Sequence, residues 1–245
     1  MLKVILLSAS TLAIAGVAHA SDIEIRLEGA FFMPKGTVGA FDNSARNNAL
    51  RDNSVDQKID SFESLKVSII KPFDDNISFV GSFYSPTEVV MEPETVLSVL
   101  TPPPGLAPAT DSYGVSGKVK MILAQFGGEY TFPLSDEFHP FVGAGVAFAY
   151  FYNGGTKALL NPGGHAIEDF HVDKTITGYL SAGFKYNLSN TFALIGSVTY
   201  MPLEMDAGYQ FSTYQTLPVT KSAAYDDIKL KVNPIILAMG ASYKF

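Results

Sequence analysis

The densest grouping of chemically capable side chains is His165, Glu168, Asp169, His171 and Asp173. Imidazole and carboxylate together suit a divalent cation. Their spacing matches no known metal-ligand pattern, so a solvated acidic loop is expected and no metal site is assigned. Acyl-transfer chemistry would need a serine within reach of a histidine and an orienting carboxylate. No serine neighbours His165 or His171, and His139 falls at a turn on the other side. A lipid-modifying membrane enzyme therefore stands as an alternative, with no catalytic residue assigned. Gly143 and Gly145 lie inside an apolar run, where small residues relieve crowding rather than cradle phosphate. The chain has no cysteine, which excludes disulfides, thiolate metal sites and cysteine nucleophiles.

A second group of charges is spaced differently. Glu24, Arg26 and Glu28 alternate with Ile25 and Leu27, and Glu129, Lys185 and Lys244 sit in similar alternating runs. Charges at every second residue share one face of a strand. Period-2 alternation recurs in eight segments, about Ile23–Met33, Ser64–Pro72, Ile77–Pro86, Gly117–Phe132, His139–Asn153, Thr175–Leu188, Thr191–Leu203 and Ile228–Phe245. The connections alternate between tight turns and long loops, the latter about 34–63, 87–116, 154–174 and 204–227. That rhythm predicts an all-β fold, an eight-stranded antiparallel transmembrane β-barrel with short periplasmic turns and long extracellular loops.

The strand faces support a wall set in lipid. Ile122, Ala124, Phe126, Tyr130 and Phe132 oppose Gln125, Glu129 and Thr131. A lipid-embedded barrel puts its apolar face outward, whereas a soluble barrel does the reverse. The 18 Phe and 12 Tyr can supply interfacial girdles without any Trp. Residues 1–20 read as a signal peptide, with Lys3, an apolar run and Ala18-His19-Ala20, leaving 21–245 as the barrel. An outer-membrane location in a Gram-negative bacterium follows. The 17 basic against 24 acidic residues argue against nucleic acid as a partner.

Several runs carry a family resemblance. Pro140-Phe-Val-Gly-Ala-Gly145, Ser197-Val-Thr-Tyr-Met201, Asp75-Asn76-Ile77, Tyr84-Ser-Pro86, and Asn233-Pro234 followed by Tyr243-Lys-Phe245 occur in the order shown by the OmpW family of small outer-membrane barrels. The sequence resembles that family over most of 21–245, although the second long loop has no counterpart. The ending on Phe245 is similar to the signal read by the barrel-assembly machinery.

Eight strands leave a narrow interior that side chains nearly fill. Strand direction places Glu24, Arg26, Glu28, Gln125, Glu129, Lys185 and Lys244 near the periplasmic end, as a charged plug. It places Tyr84, Val119, Met121, Leu123, Ala149, Phe151, Tyr179 and Met201 higher, with Ile195 and Ile236 at less defined depth, as an apolar lining. The resemblance implies passage of small hydrophobic solutes with lateral exit into the bilayer. Pro86, Pro202 and Pro234 lie at or near strand ends, and Pro86 is the expected opening because proline cannot donate to the ladder. Its plain alternative is a strand terminator. Lys118 and Lys120 face outward, toward lipid or lipopolysaccharide phosphates. A receptor or structural barrel without transport is the other open reading. No cofactor is expected.

Overall fold

The computed structural model describes residues 23–38, 55–93, 96–97, 111–112, 117–156, 165–213, 220–221 and 226–245. The expected signal peptide lies outside them. In chain order the strands are β1 (Glu24–Met33), β2 (Gly36–Val38), β3 (Val55–Ile59), β4 (Phe62–Pro72), β5 (Ile77–Pro93), β6 (Val96–Leu97), β7 (Asp111–Ser112) and β8 (Gly117–Thr131). They continue with β9 (Phe138–Thr156), β10 (His165–Val172), β11 (Thr175–Asn187), β12 (Phe192–Tyr200), β13 (Leu203–Thr213), β14 (Thr220–Lys221), β15 (Asp226–Val232) and β16 (Ile235–Lys244).

Eight of these close a ring through antiparallel pairs, β1–β4–β5–β8–β9–β11–β12–β16 and back to β1. Closure leaves no unpaired sheet edge in the ring, as a wall in hydrocarbon requires. The tight turns are built from short polar side chains. Asp74 Oδ1 accepts from the Asn76 and Ile77 amides at 2.9 and 2.7 Å. Ser135 Oγ accepts from the Phe138 amide, and Ser189 Oγ from the Phe192 amide. These local bonds replace the ladder where the chain reverses. Glu24 of β1 pairs with Lys244 of β16 at the same end as these turns.

Above the wall the expected loops contain strands. The segment 34–63 holds β2 and β3, β5 runs on past Pro86, 154–174 holds β10, and 204–227 holds most of β13. They form a crown in which β5 exchanges its lower neighbour β4 for β3, followed by β2, β15, β13 and β10. Two expected strands are also broken. Thr191–Leu203 divides at Pro202 into β12 and β13, and Ile228–Phe245 divides at Asn233-Pro234 into β15 and β16. Proline lacks the amide that a central strand donates, so the chain changes partners at both points. The alternation Leu203, Met205 and Leu230, Val232, all buried, carried the signal for these strands.

The wall is apolar outside and mixed inside. Leu27, Phe83, Val146, Phe148, Ile176, Leu180 and Leu237 are among its exposed outer residues. Aromatic contacts gather at the turn end, including Tyr130–Phe132, Phe138–Phe184, Phe192–Tyr243 and Tyr243–Phe245. Inside, close strand approach depends on glycine. A Cβ at Gly145 would lie 2.2 Å from the Phe126 carbonyl oxygen and 2.8 Å from the Tyr179 ring. Tyr179 therefore lies across a groove that only glycine leaves open.

Candidate functional site

The lower lumen is a network of opposed charges. Arg26 forks onto Glu129, Nη1 and Nη2 each donating at 2.7 Å, and its Nε donates to Glu24 at 2.8 Å. The guanidinium also stands 5.0 Å from the centre of the Phe141 ring. Lys185 donates to the second oxygen of Glu24. Glu28 meets the Lys66 ammonium at 3.0 Å, and Ser197 donates to its other oxygen at 3.3 Å. Three carboxylates thus face three cations. Fork-to-fork pairing and neutralisation offset the large desolvation penalty of buried charge.

One expected member of this plug is displaced. Lys244 is exposed at the rim, because it ends β16 where the wall meets water, and Lys66 of β4 is the third cation instead. Lys66 was missed because the faces of its strand mix Lys, Ser and Ile on both sides.

Above the charges the character changes. A cleft open to solvent, about 480 Å³ when the solvent at its mouth is included, is lined solely by apolar residues. Of the expected lining it takes Val119, Met121, Phe151 and Met201. To these it adds Phe32 and Phe62 of the wall and Ile59, Val89, Val172, Leu203, Met205, Leu230 and Val232 of the crown or its approach. Most of the additions lay in segments expected to be loops or outside the faces read from sequence. Tyr84 and Leu123 are cross-strand partners, and Ile236 is paired with Phe32 and Thr199. All three are buried below or beside the cavity rather than among its lining. Ala149 is buried in the same apolar cluster. Tyr179 lines a separate, more polar compartment with Arg26, Lys66, Gln125 and Glu129. Ile195 is buried opposite Lys185, at the level of the charges.

Besides a register shift in β8–β9 between Lys118 and Lys120, pairing in the wall is interrupted beside two prolines near the apolar cavity. The β4–β5 ladder stops at Lys66–Tyr84, and the β5–β8 register shifts between Tyr84 and Thr87, so Pro86 is unpaired on both sides. Hydroxyls close this seam. Ser85 Oγ accepts from the Leu65 amide at 3.0 Å, Ser64 Oγ donates to the Ser85 carbonyl at 3.0 Å, and Thr87 Oγ1 donates to the Glu63 carbonyl at 3.1 Å. A second seam lies beside Pro202, where β11 outruns β12. There Thr177 Oγ1 donates to the Pro202 carbonyl and Thr175 Oγ1 to the Glu204 carbonyl.

On the outer surface, above the apolar belt, Lys118 donates to Glu88 at 2.8 Å. That hydrogen bond, followed by the charge of Lys118, holds the Glu88 carboxyl below its ordinary range. Lys120 is exposed beside them. His165, Glu168, Asp169 and His171 fall on β10, but their side chains lie outside the described residues; Asp173 is exposed.

A closed eight-strand wall, apolar outside and charged within, defines a transmembrane β-barrel of the outer-membrane class. The comparisons give its family. The OmpW family model matches residues 105–245, more than half of the chain, and the chain belongs to that family. Outer membrane protein W of Vibrio cholerae is 25% identical over 236 residues, covering 96% of this chain and 97% of that protein. Outer membrane protein AlkL of Ectopseudomonas oleovorans is 27% identical over 117 residues, which is 48% of this chain and 43% of AlkL. The crystal structure of OprG from Pseudomonas aeruginosa has a TM-score of 0.66 at 17% identity, covering 92% of this chain and 96% of OprG. The protein is an outer-membrane protein of a Gram-negative bacterium.

Proposed function

We propose that this barrel passes small hydrophobic molecules across the outer membrane without an energy source. The observation that carries the reading is the wholly apolar lining of the upper cavity above a neutralised bed of charges. A polar solute entering it would lose hydration and find no compensating partner among the residues that line it. An apolar solute would gain there, and then meet the charged network below. The favoured exit is therefore sideways into the bilayer. Pro86 supports this route, because hydroxyl contacts stand in for backbone rungs around it. Family membership favours a channel over a lipid-modifying enzyme. Lipopolysaccharide phosphates would meet Lys120 first, since Lys118 is already engaged by Glu88. Phe245, exposed against Tyr243, is the group offered to the barrel-assembly machinery.

Uptake into reconstituted vesicles tests the reading, comparing a small hydrophobic solute with a sugar of similar size. Selective entry of the hydrophobic solute is expected. It should be lost in Met121→Asp and Phe151→Asp barrels that still fold, because each places a charge in the cavity. Normal uptake by those variants would sink the apolar route. No flux of either solute through a folded barrel would turn the reading toward a receptor or structural role.

A further inference from the structure

At the base of the apolar cavity one buried polar group is poorly matched. Gln125 is 3% exposed. Its carbonyl oxygen accepts the Tyr84 hydroxyl at 3.0 Å. Its amide nitrogen carries two protons, and the acceptor it meets among the described residues is the Met201 sulfur, at 3.9 Å. A thioether is a weak acceptor. Its cross-strand neighbours do not take the amide protons: the Ser82 hydroxyl is paired with Ser68 at 2.8 Å and makes no hydrogen bond with Gln125, and Ala147 has no polar side-chain atom. A buried donor left with so weak a partner favours any incoming oxygen acceptor.

The residue holding that place can move. Met201 is fully buried and lines the apolar cavity, while Gln125 lines the polar compartment beneath. An unbranched thioether side chain repacks readily. Displacing its sulfur would bring the amide within reach of a solute lying in the cavity above. We propose that Gln125 is a specificity-determining residue of the lumen. It selects solutes with an apolar chain and one terminal oxygen acceptor, such as a ketone, aldehyde or ester, over plain hydrocarbons. The chain of such a solute fills the cavity, and its oxygen takes the amide hydrogen bond from Met201. The inference rests on the cavity being the solute site.

The test uses the full chain in lipid nanodiscs with isotope-labelled methionine methyl groups. Met121, Met201 and Met205 all line the cavity and report occupancy. The probes are n-nonane and methyl heptyl ketone, each corrected for partition into protein-free discs. The ketone is expected to bind about threefold to tenfold more tightly than the alkane, the effect of one added hydrogen bond. Its binding should shift the Met201 methyl resonance most. Gln125→Leu should abolish the ketone preference, read as the ratio of ketone to alkane affinity. Met201→Leu, which removes the competing sulfur and keeps Gln125, should retain or raise the preference, read from Met121 and Met205. Equal affinity of the two probes in the unaltered protein, or a preference that survives Gln125→Leu, overturns the inference alone. Absence of any shift at the three methyl groups with either probe overturns the cavity as solute site, and the inference with it.

Discussion

Arg26 is the hinge of the lumen's electrostatics. It holds Glu129 with both terminal nitrogens and Glu24 with its Nε, while its planar face lies over Phe141. A lysine could not reproduce a fork of this shape. Arg26→Leu would leave two buried carboxylates short of their shared cation. Removing one partner from a buried pair costs about 3–5 kcal/mol. We therefore expect urea unfolding from lipid vesicles to show a loss of that order. Lys244→Ala, by contrast, should fall within about 0.5 kcal/mol, because that ammonium is exposed and outside the network. A comparable loss in both variants would return Lys244 to the plug.

The strands make a wall that is strong nearly everywhere and interrupted beside two prolines. At the Pro86 seam the two serine hydroxyl oxygens of Ser64 and Ser85 lie 3.1 Å apart. Lower on the same pair of strands, Ser68 and Ser82 lie 2.8 Å apart. Both separations suit replacement by a cysteine pair, and the chain has no other cysteine to interfere. Oxidising Ser64→Cys/Ser85→Cys should lower hydrophobic uptake to the level of protein-free vesicles, and reduction should restore it. The Ser68→Cys/Ser82→Cys disulfide joins the same strands without crossing the seam and should leave uptake intact. Uptake unaffected by the upper disulfide would exclude exit at Pro86 and direct attention to the Thr175–Thr177 seam.

As a whole, the molecule inverts the usual arrangement of a soluble protein. Among the described residues, a network of paired charges is buried in the lower lumen, and many large apolar side chains face out. Stability should then depend on where along the wall a charge is placed. Val146 lies in the middle of the outward run of β9, and Tyr152, stacked on Tyr150, lies near its upper edge. Val146→Arg is expected to destabilise the barrel by about 2–4 kcal/mol, and Tyr152→Arg by about 0–1 kcal/mol. Unfolding from vesicles measures both. Equal costs at the two depths would contradict the position of the membrane along the strands.

Much of this was legible in the residues. Alternation along Ile23–Met33 or Gly117–Phe132 has period two, which assigns inside and outside without knowledge of any partner strand. The Asp, Ser and Asn turns mark where the chain reverses, so the eight-strand wall follows from local chemistry. Glu24, Arg26, Glu28 and Glu129 announced themselves because a charge on an otherwise apolar strand has few stable places to go. The crown was not read, since its short strands gain their pairing only from distant segments such as 36–38 and 226–232. The third cation, Lys66, was hidden because its own strand mixes both faces, and only the neighbouring Glu28 fixes its direction. The division of the lumen into an apolar cavity and a polar compartment likewise belongs to the tertiary structure. Depth within a barrel depends on the stagger between strands, which period-two alternation does not encode.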